Sequence, residues 1–118
     1  MEPGFSSVFE LEPTLRRING NVALLKKLMG SFARHYRTIG DDLADLLRRQ
    51  DYAGAEMLCH RLAAAAAQLG AIKLSETAGN AEQALKDRSV ADIDRLLSEI
   101  ERLVAQATAA AAAYSAAP

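Results

Sequence analysis

Cysteine, long apolar runs and an excess of one charge are all scarce or missing in this chain, and each scarcity removes a class of protein. A single cysteine, Cys59, among 118 residues leaves no partner for an internal disulfide and no set of thiolates for zinc. One thiol suits a reducing compartment. No apolar run approaches the roughly 20 residues that span a bilayer, and residues 1–7 lack the basic start and apolar middle of a secretory signal. The expected location is therefore cytoplasmic, without direct membrane contact. The charges nearly cancel, with 14 basic against 15 acidic residues. That balance argues against a nucleic-acid partner, which calls for a basic face to neutralise phosphates. The basic pairs Arg16-Arg17, Lys26-Lys27 and Arg48-Arg49 lie far apart among acids and read as solvated helix faces.

Aromatic residues are only 5% of the chain, and alanine fills their place at 24 positions. Alanine has the highest helix propensity, so thin, closely packed helix interfaces are expected. The length suits one domain over residues 1–118. No segment alternates as a half-buried strand does, whereas a period of about 3.6 residues recurs along most of the chain. A short helix is expected over 13–18, with Leu11, Leu15 and Ile18 on one side, stopped by the turn Asn19-Gly20-Asn21. Leu25, Leu28, Phe32, Tyr36, Ile39, Leu43 and Leu46 predict one long helix over 22–50, bent at Gly40 if anywhere. Asp51 caps a third helix with Leu58, Leu62, Ala65 and Leu69 inward, closed by Gly70. A fourth is expected over 72–87, with Leu74, Ala78, Ala81 and Leu85 inward and its middle weakened by Gly79-Asn80. A fifth opens at Ser89, with Ile93, Leu96, Leu97, Ile100, Leu103 and Val104 in its stripe. The Ala-rich tail, 107–118, extends that helix and then frays. The expected fold is all-α: an antiparallel four-helix bundle with a short extra N-terminal helix, its core spanning about 9–104.

Enzyme chemistry is poorly supported. There is no glycine-rich phosphate loop, no paired-histidine metal spacing and no nucleophile motif around any serine. The two histidines separate by helix geometry. His35 falls on the edge of an apolar stripe, as a satisfied, partly buried histidine would. His60 points about 200° away from Leu58 and Leu62 and so faces out. Its neighbours on that face are Ala53, Glu56, Ala63, Ala64 and Ala67, so a single imidazole stands on a surface cleared of bulk. Such a surface suits a partner protein that approaches the ring closely, although an Ala-rich solvent face gives the same pattern. Cys59 reads as a small packing residue on the flank of the stripe.

The segment His60-Arg61-Leu62-Ala63-Ala64, followed by Gly70, resembles the H-x-L-K-G signature of histidine-containing phosphotransfer (HPt) domains, which carry a second glycine ten residues after the histidine. Ala71, Leu74, Ala78 and Glu82 continue the family pattern, with Ala81 in place of its usual leucine. Upstream, Leu15, Asn19-Gly20-Asn21, Leu28 and Phe32 resemble the family's first helix, turn and start of the second helix. Ala63 stands where the family has lysine, and Ala64 where it has glycine.

The resemblance implies a phosphorelay intermediate. His60 would accept a phosphoryl group from a receiver-domain aspartate and pass it to another receiver. Glu56, Arg61, Ala63, Ala64 and Ala67 would form the docking face, with Glu56 either orienting the ring or, the favoured reading, solvated. The expected partners are a response-regulator receiver domain and a hybrid sensor histidine kinase. The chain would need no cofactor of its own, because Mg²⁺ is expected on the receiver. It would be a phosphocarrier without an ATP site, free-standing or the cytoplasmic part of a membrane-bound hybrid kinase. The alternative is an HPt-like docking or structural bundle without efficient transfer.

Overall fold

Helices begin and end at the polar and glycine punctuation of the sequence. The computed structural model describes residues 8–118; residues 1–7, weighed above as a signal segment, lie outside the described residues. Among those described, the chain forms α1 (Leu11–Arg17), α2 (Val22–Tyr36), α3 (Ile39–Arg48), α4 (Tyr52–Gln68), α5 (Ile72–Asp87) and α6 (Val90–Ala116), and no strand. The Asn21 side chain accepts a hydrogen bond from the Leu24 N–H, and that of Asp51 from the Gly54 N–H, each satisfying a donor that the first helical turn leaves open. Ser89, which opens α6, makes no such cap: its hydroxyl donates to the Asp92 carboxylate at 2.8 Å rather than accepting from the backbone.

The all-α bundle has four legs. The first is α2 followed by α3; the others are α4, α5 and α6. Here α2 packs on α6, α4 on α5 and α5 on α6, while α3 bridges α4 and α6. At about 1.5 Å per residue, the 27-residue α6 runs nearly the full 43 Å length of the molecule.

Two expectations are corrected. The long helix over 22–50 is two helices, parted at Arg37-Thr38 rather than bent at Gly40. Thr38 restarts the chain: its carbonyl accepts from Asp42 N–H and its hydroxyl donates to the Asp42 carboxylate. Gly40 sits inside α3, where a Cβ would press to 2.8 Å from the Glu101 side chain of α6. The tail extends the last helix as expected, and the second correction is how far the core follows it. Helix α6 reaches Ala116, with Ala107 and Ala111 fully buried. A Cβ on Gly30 of α2 would stand 2.7 Å from the Ser115 hydroxyl, and Lys26 donates to the Ala117 carbonyl at 2.7 Å. The packed core therefore extends past residue 104 to Ala111.

Helix α1 caps one end of the bundle at the α4–α5 turn. Gly70 takes φ +81°, and a Cβ there would meet the Thr14 hydroxyl at 2.5 Å and the Glu10 carbonyl at 2.8 Å. Glu10 N–H donates to the Gly70 carbonyl, and Arg17 donates to the Gln68 carbonyl at 2.7 Å. Glycine satisfies both the left-handed backbone and the close approach. Phe9 is buried beside these contacts, edge-on to Phe32.

Candidate functional site

The core face of α4 fixes which side chains it presents to solvent. Ala55, Cys59, Leu62, Ala66 and Leu69 are buried, at spacings of three and four. Leu62 and Leu69 point inward as expected, but Leu58 and Ala65 are only half-buried and Cys59 lies at the centre of the stripe rather than on its flank. A helix held by that seam must turn His60 outward, and 63% of the His60 side chain is exposed. The Cys59 thiol behind it is pushed up to about 12 by burial and secondarily by the Glu82 charge. It is a packing group at neutral pH, because the thiolate is the reactive form.

Helix α5 supplies the partner of the imidazole. The three-residue turn through Gly70 lays α5 back along α4, and the Ser75 hydroxyl donates to the Ala63 carbonyl at 2.9 Å. One helical stretch further along, Glu82 Oε1 lies 3.2 Å from His60 Nδ1, while Glu82 Oε2 lies 3.3 Å from the Lys86 ammonium. Partial burial of the Glu82 carboxyl works to raise its pKa. The hydrogen bonds from His60 and Lys86 outweigh that and hold it below the ordinary range. An ionised carboxylate only accepts hydrogen bonds, so the proton sits on His60 Nδ1. In the neutral ring Nε2 then carries the free lone pair, and among the described residues nothing bonds to it.

The proposed docking residues divide into two groups. Arg61, Ala64 and Ala67 line one shallow depression with His60, together with Arg17, Tyr36 and Gln68. Ala63 faces α5 and is half-buried there. Glu56 neither touches the ring nor stands in solvent: its carboxylate is 3.8 Å from Arg88, whose guanidinium also stacks 3.9 Å over the Tyr52 ring. His35 is exposed rather than partly buried, with Nδ1 2.9 Å from the Ser31 carbonyl.

Other residues at the site, Glu82 and Arg17 among them, were not picked out as site residues from the sequence. Glu82 orients the ring; its match to the family pattern is the signal that could have found it. Arg17 reaches the depression from α1, and no local pattern announces a contact 51 residues away.

The site is thus one outward histidine, ring-fixed by a carboxylate from the next helix, on an Ala-rich face of an all-α bundle. No curated protein sequence and no solved structure gives a significant match to the chain. A family model described as "Hpt domain" matches residues 27–110, which takes in α3, α4, α5 and most of α2 and α6. The chain therefore belongs to the histidine-containing phosphotransfer domain family, whose members are phosphocarriers of phosphorelays working with response-regulator receiver domains.

Proposed function

We propose that His60 is the phosphoacceptor and that the chain carries a phosphoryl group between two receiver domains. The observation that supports this reading is the hydrogen bond from His60 Nδ1–H to Glu82, which leaves Nε2 as the exposed nucleophile. In the forward step the Nε2 lone pair forms the N–P bond. The bond from phosphorus to the receiver's aspartyl oxygen breaks, and its electrons leave with the aspartate. The ring gains positive character, which the fixed Glu82 carboxylate stabilises through Nδ1–H; no proton is transferred. The second receiver's aspartate reverses these events. The receiver brings the Mg²⁺ that neutralises the acyl phosphate, so this chain needs no metal or cofactor.

The depression lined by Arg61, Ala64 and Ala67 is where the receiver's surface rests, and Arg17 and Arg61 give it a cationic rim. Ala63 and Glu56 lie to the α5 side and do not form its floor. The domain works on the cytoplasmic side, and a hybrid kinase's receiver is the donor.

The test is phosphotransfer from receiver domains loaded by acetyl phosphate to the wild type and to His60→Gln. Label on the wild type and none on His60→Gln supports the reading. Equal label on both overturns it, and receiver binding without any label shows a docking module instead.

A further inference from the structure

A phosphoryl group in transfer spreads negative charge over three oxygens, and cations that meet it lower the barrier. Helix α4 offers little of this beside His60. Its nearest side chains are Ala63 on the α5 side and Ala64 and Ala67 in the depression, whose rim carries Arg61 and, from α1, Arg17. A further cation is tied to the ring through one shared carboxylate, and it belongs to α5. The Lys86 ammonium is 3.3 Å from Glu82 Oε2, and the other oxygen of the same carboxylate is 3.2 Å from His60 Nδ1. Imidazole, carboxylate and ammonium thus form a chain across the α4–α5 groove.

Resting on the reading of His60 as acceptor, we propose that Lys86 meets, from the α5 side, the phosphoryl group carried by His60, in addition to Arg17 and Arg61 at the rim of the depression. The two partners of Glu82 differ in a way that fits this role. The Glu82 side chain is 19% exposed and fixed from both sides, whereas that of Lys86 is 51% exposed. An exposed pair four residues apart on one helix is weak, and lysine carries its charge on a flexible four-carbon stem. In the resting domain Glu82 holds the ammonium near the ring. When the phosphoryl group arrives on Nε2, the ammonium moves to its oxygens. Glu82 keeps the Nδ1–H bond. The only covalent changes remain the N–P bond formed and the P–O bond broken, so Lys86 adds charge and no proton.

The experiment measures the initial rate of transfer from acetyl-phosphate-loaded receiver domains to the full chain and its variants, with melting temperatures recorded alongside. Lys86→Gln is expected to slow labelling about five-fold at an unchanged melting temperature. Lys86→Arg should stay within about two-fold of the wild type, since it keeps the charge. Ala63→Lys in the Lys86→Gln background should restore the rate by supplying the cation from α4. A Lys86→Gln rate equal to the wild type, with label still dependent on His60, overturns the role of Lys86 alone. A slow Lys86→Gln that Ala63→Lys leaves slow also overturns it, because the loss then comes from the disturbed Glu82. Label that survives His60→Gln, or its absence from the wild type across the receivers tried, overturns the acceptor reading and this inference together.

Discussion

Two runs of five alanines, 63–67 in α4 and 109–113 in α6, have the same composition and different surroundings. Each buries one alanine fully, Ala66 and Ala111. Each leaves others exposed: Ala64 and Ala67 in α4, Ala109, Ala112 and Ala113 in α6. In α6 the run serves the seam with α2, whose Gly30 lies close against Ser115. In α4 the exposed alanines share a depression with an outward imidazole and two guanidinium groups. The bare helical surface is common to both, and only the run in α4 lies beside an outward histidine with a carboxylate partner.

The largest effect expected from a test of this comparison is on the shared core. Leu62→Ala removes a fully buried side chain that anchors the face opposite His60. It should cost about 2–5 kcal/mol by chemical denaturation. A loss near zero would mean that α4 is not held in the rotation that turns His60 outward. Next come the two buried alanines, which should behave alike. Ala66→Leu and Ala111→Leu each force added methylenes into a closed seam and should cost about 1–3 kcal/mol. If Ala111→Leu is neutral while Ala66→Leu is not, the α6 tail is not part of the core.

How much of this was legible in the sequence follows the range of the interactions involved. The bounds of α5, the Asp51 cap, the Gly70 turn and the outward direction of His60 come from local rules of period and capping, and the structure matches them. The break at Arg37-Thr38 escaped because the apolar residues on both sides keep the helical phase. Ile39 and Leu43 fall where an unbroken helix would put them, so periodicity alone carries no mark of the interruption. Met29, fully buried, is missing from the expected stripe, which runs through Leu28 beside it; Cys59 is the packing residue expected, at the centre of its stripe instead of the flank. Glu82 lies 22 residues from His60, and Arg88 lies 32 from Glu56. Such pairings depend on how α4 and α5 lie against each other, which the hydrophobic pattern restricts without fixing. The favoured solvated reading of Glu56 fails for that reason.

The exposed alanines should separate the two runs where the buried ones do not. Ala64→Glu and Ala67→Glu place bulk and negative charge on the surface proposed to receive an anionic partner. Each should weaken binding of a phosphorylated receiver about ten-fold, or roughly 1.4 kcal/mol, as read by titration calorimetry. Ala112→Glu in α6 should leave binding unchanged. All three should alter stability by less than about 0.5 kcal/mol, since they are surface substitutions in helices. Equal binding by all three variants would move the docking surface away from the face of His60.

The smallest effect concerns the carboxylate that fixes the ring. Glu82 is held below its ordinary pKa by His60 and Lys86 despite the opposing effect of burial, so its ionised form is favoured more by the folded chain than by the unfolded one. A depressed carboxyl contributes stability that is fully present above its unfolded pKa, about 4.3, and is lost as pH falls through the lower folded value. The contribution should therefore be constant near neutrality and vanish in acid. Glu82→Gln keeps the shape and an acceptor oxygen but cannot titrate. Its melting temperature should fall slightly below that of the wild type at pH 7, and the gap should close as the pH is taken below 4.3. Nothing in the exposed alanines of α6 titrates, so Ala112→Gln should show no such pH-dependent gap. A difference between Glu82→Gln and wild type that persists unchanged into acid would mean that Glu82 acts through packing rather than through its charge, and the assignment of the Nδ1 proton would lose its basis.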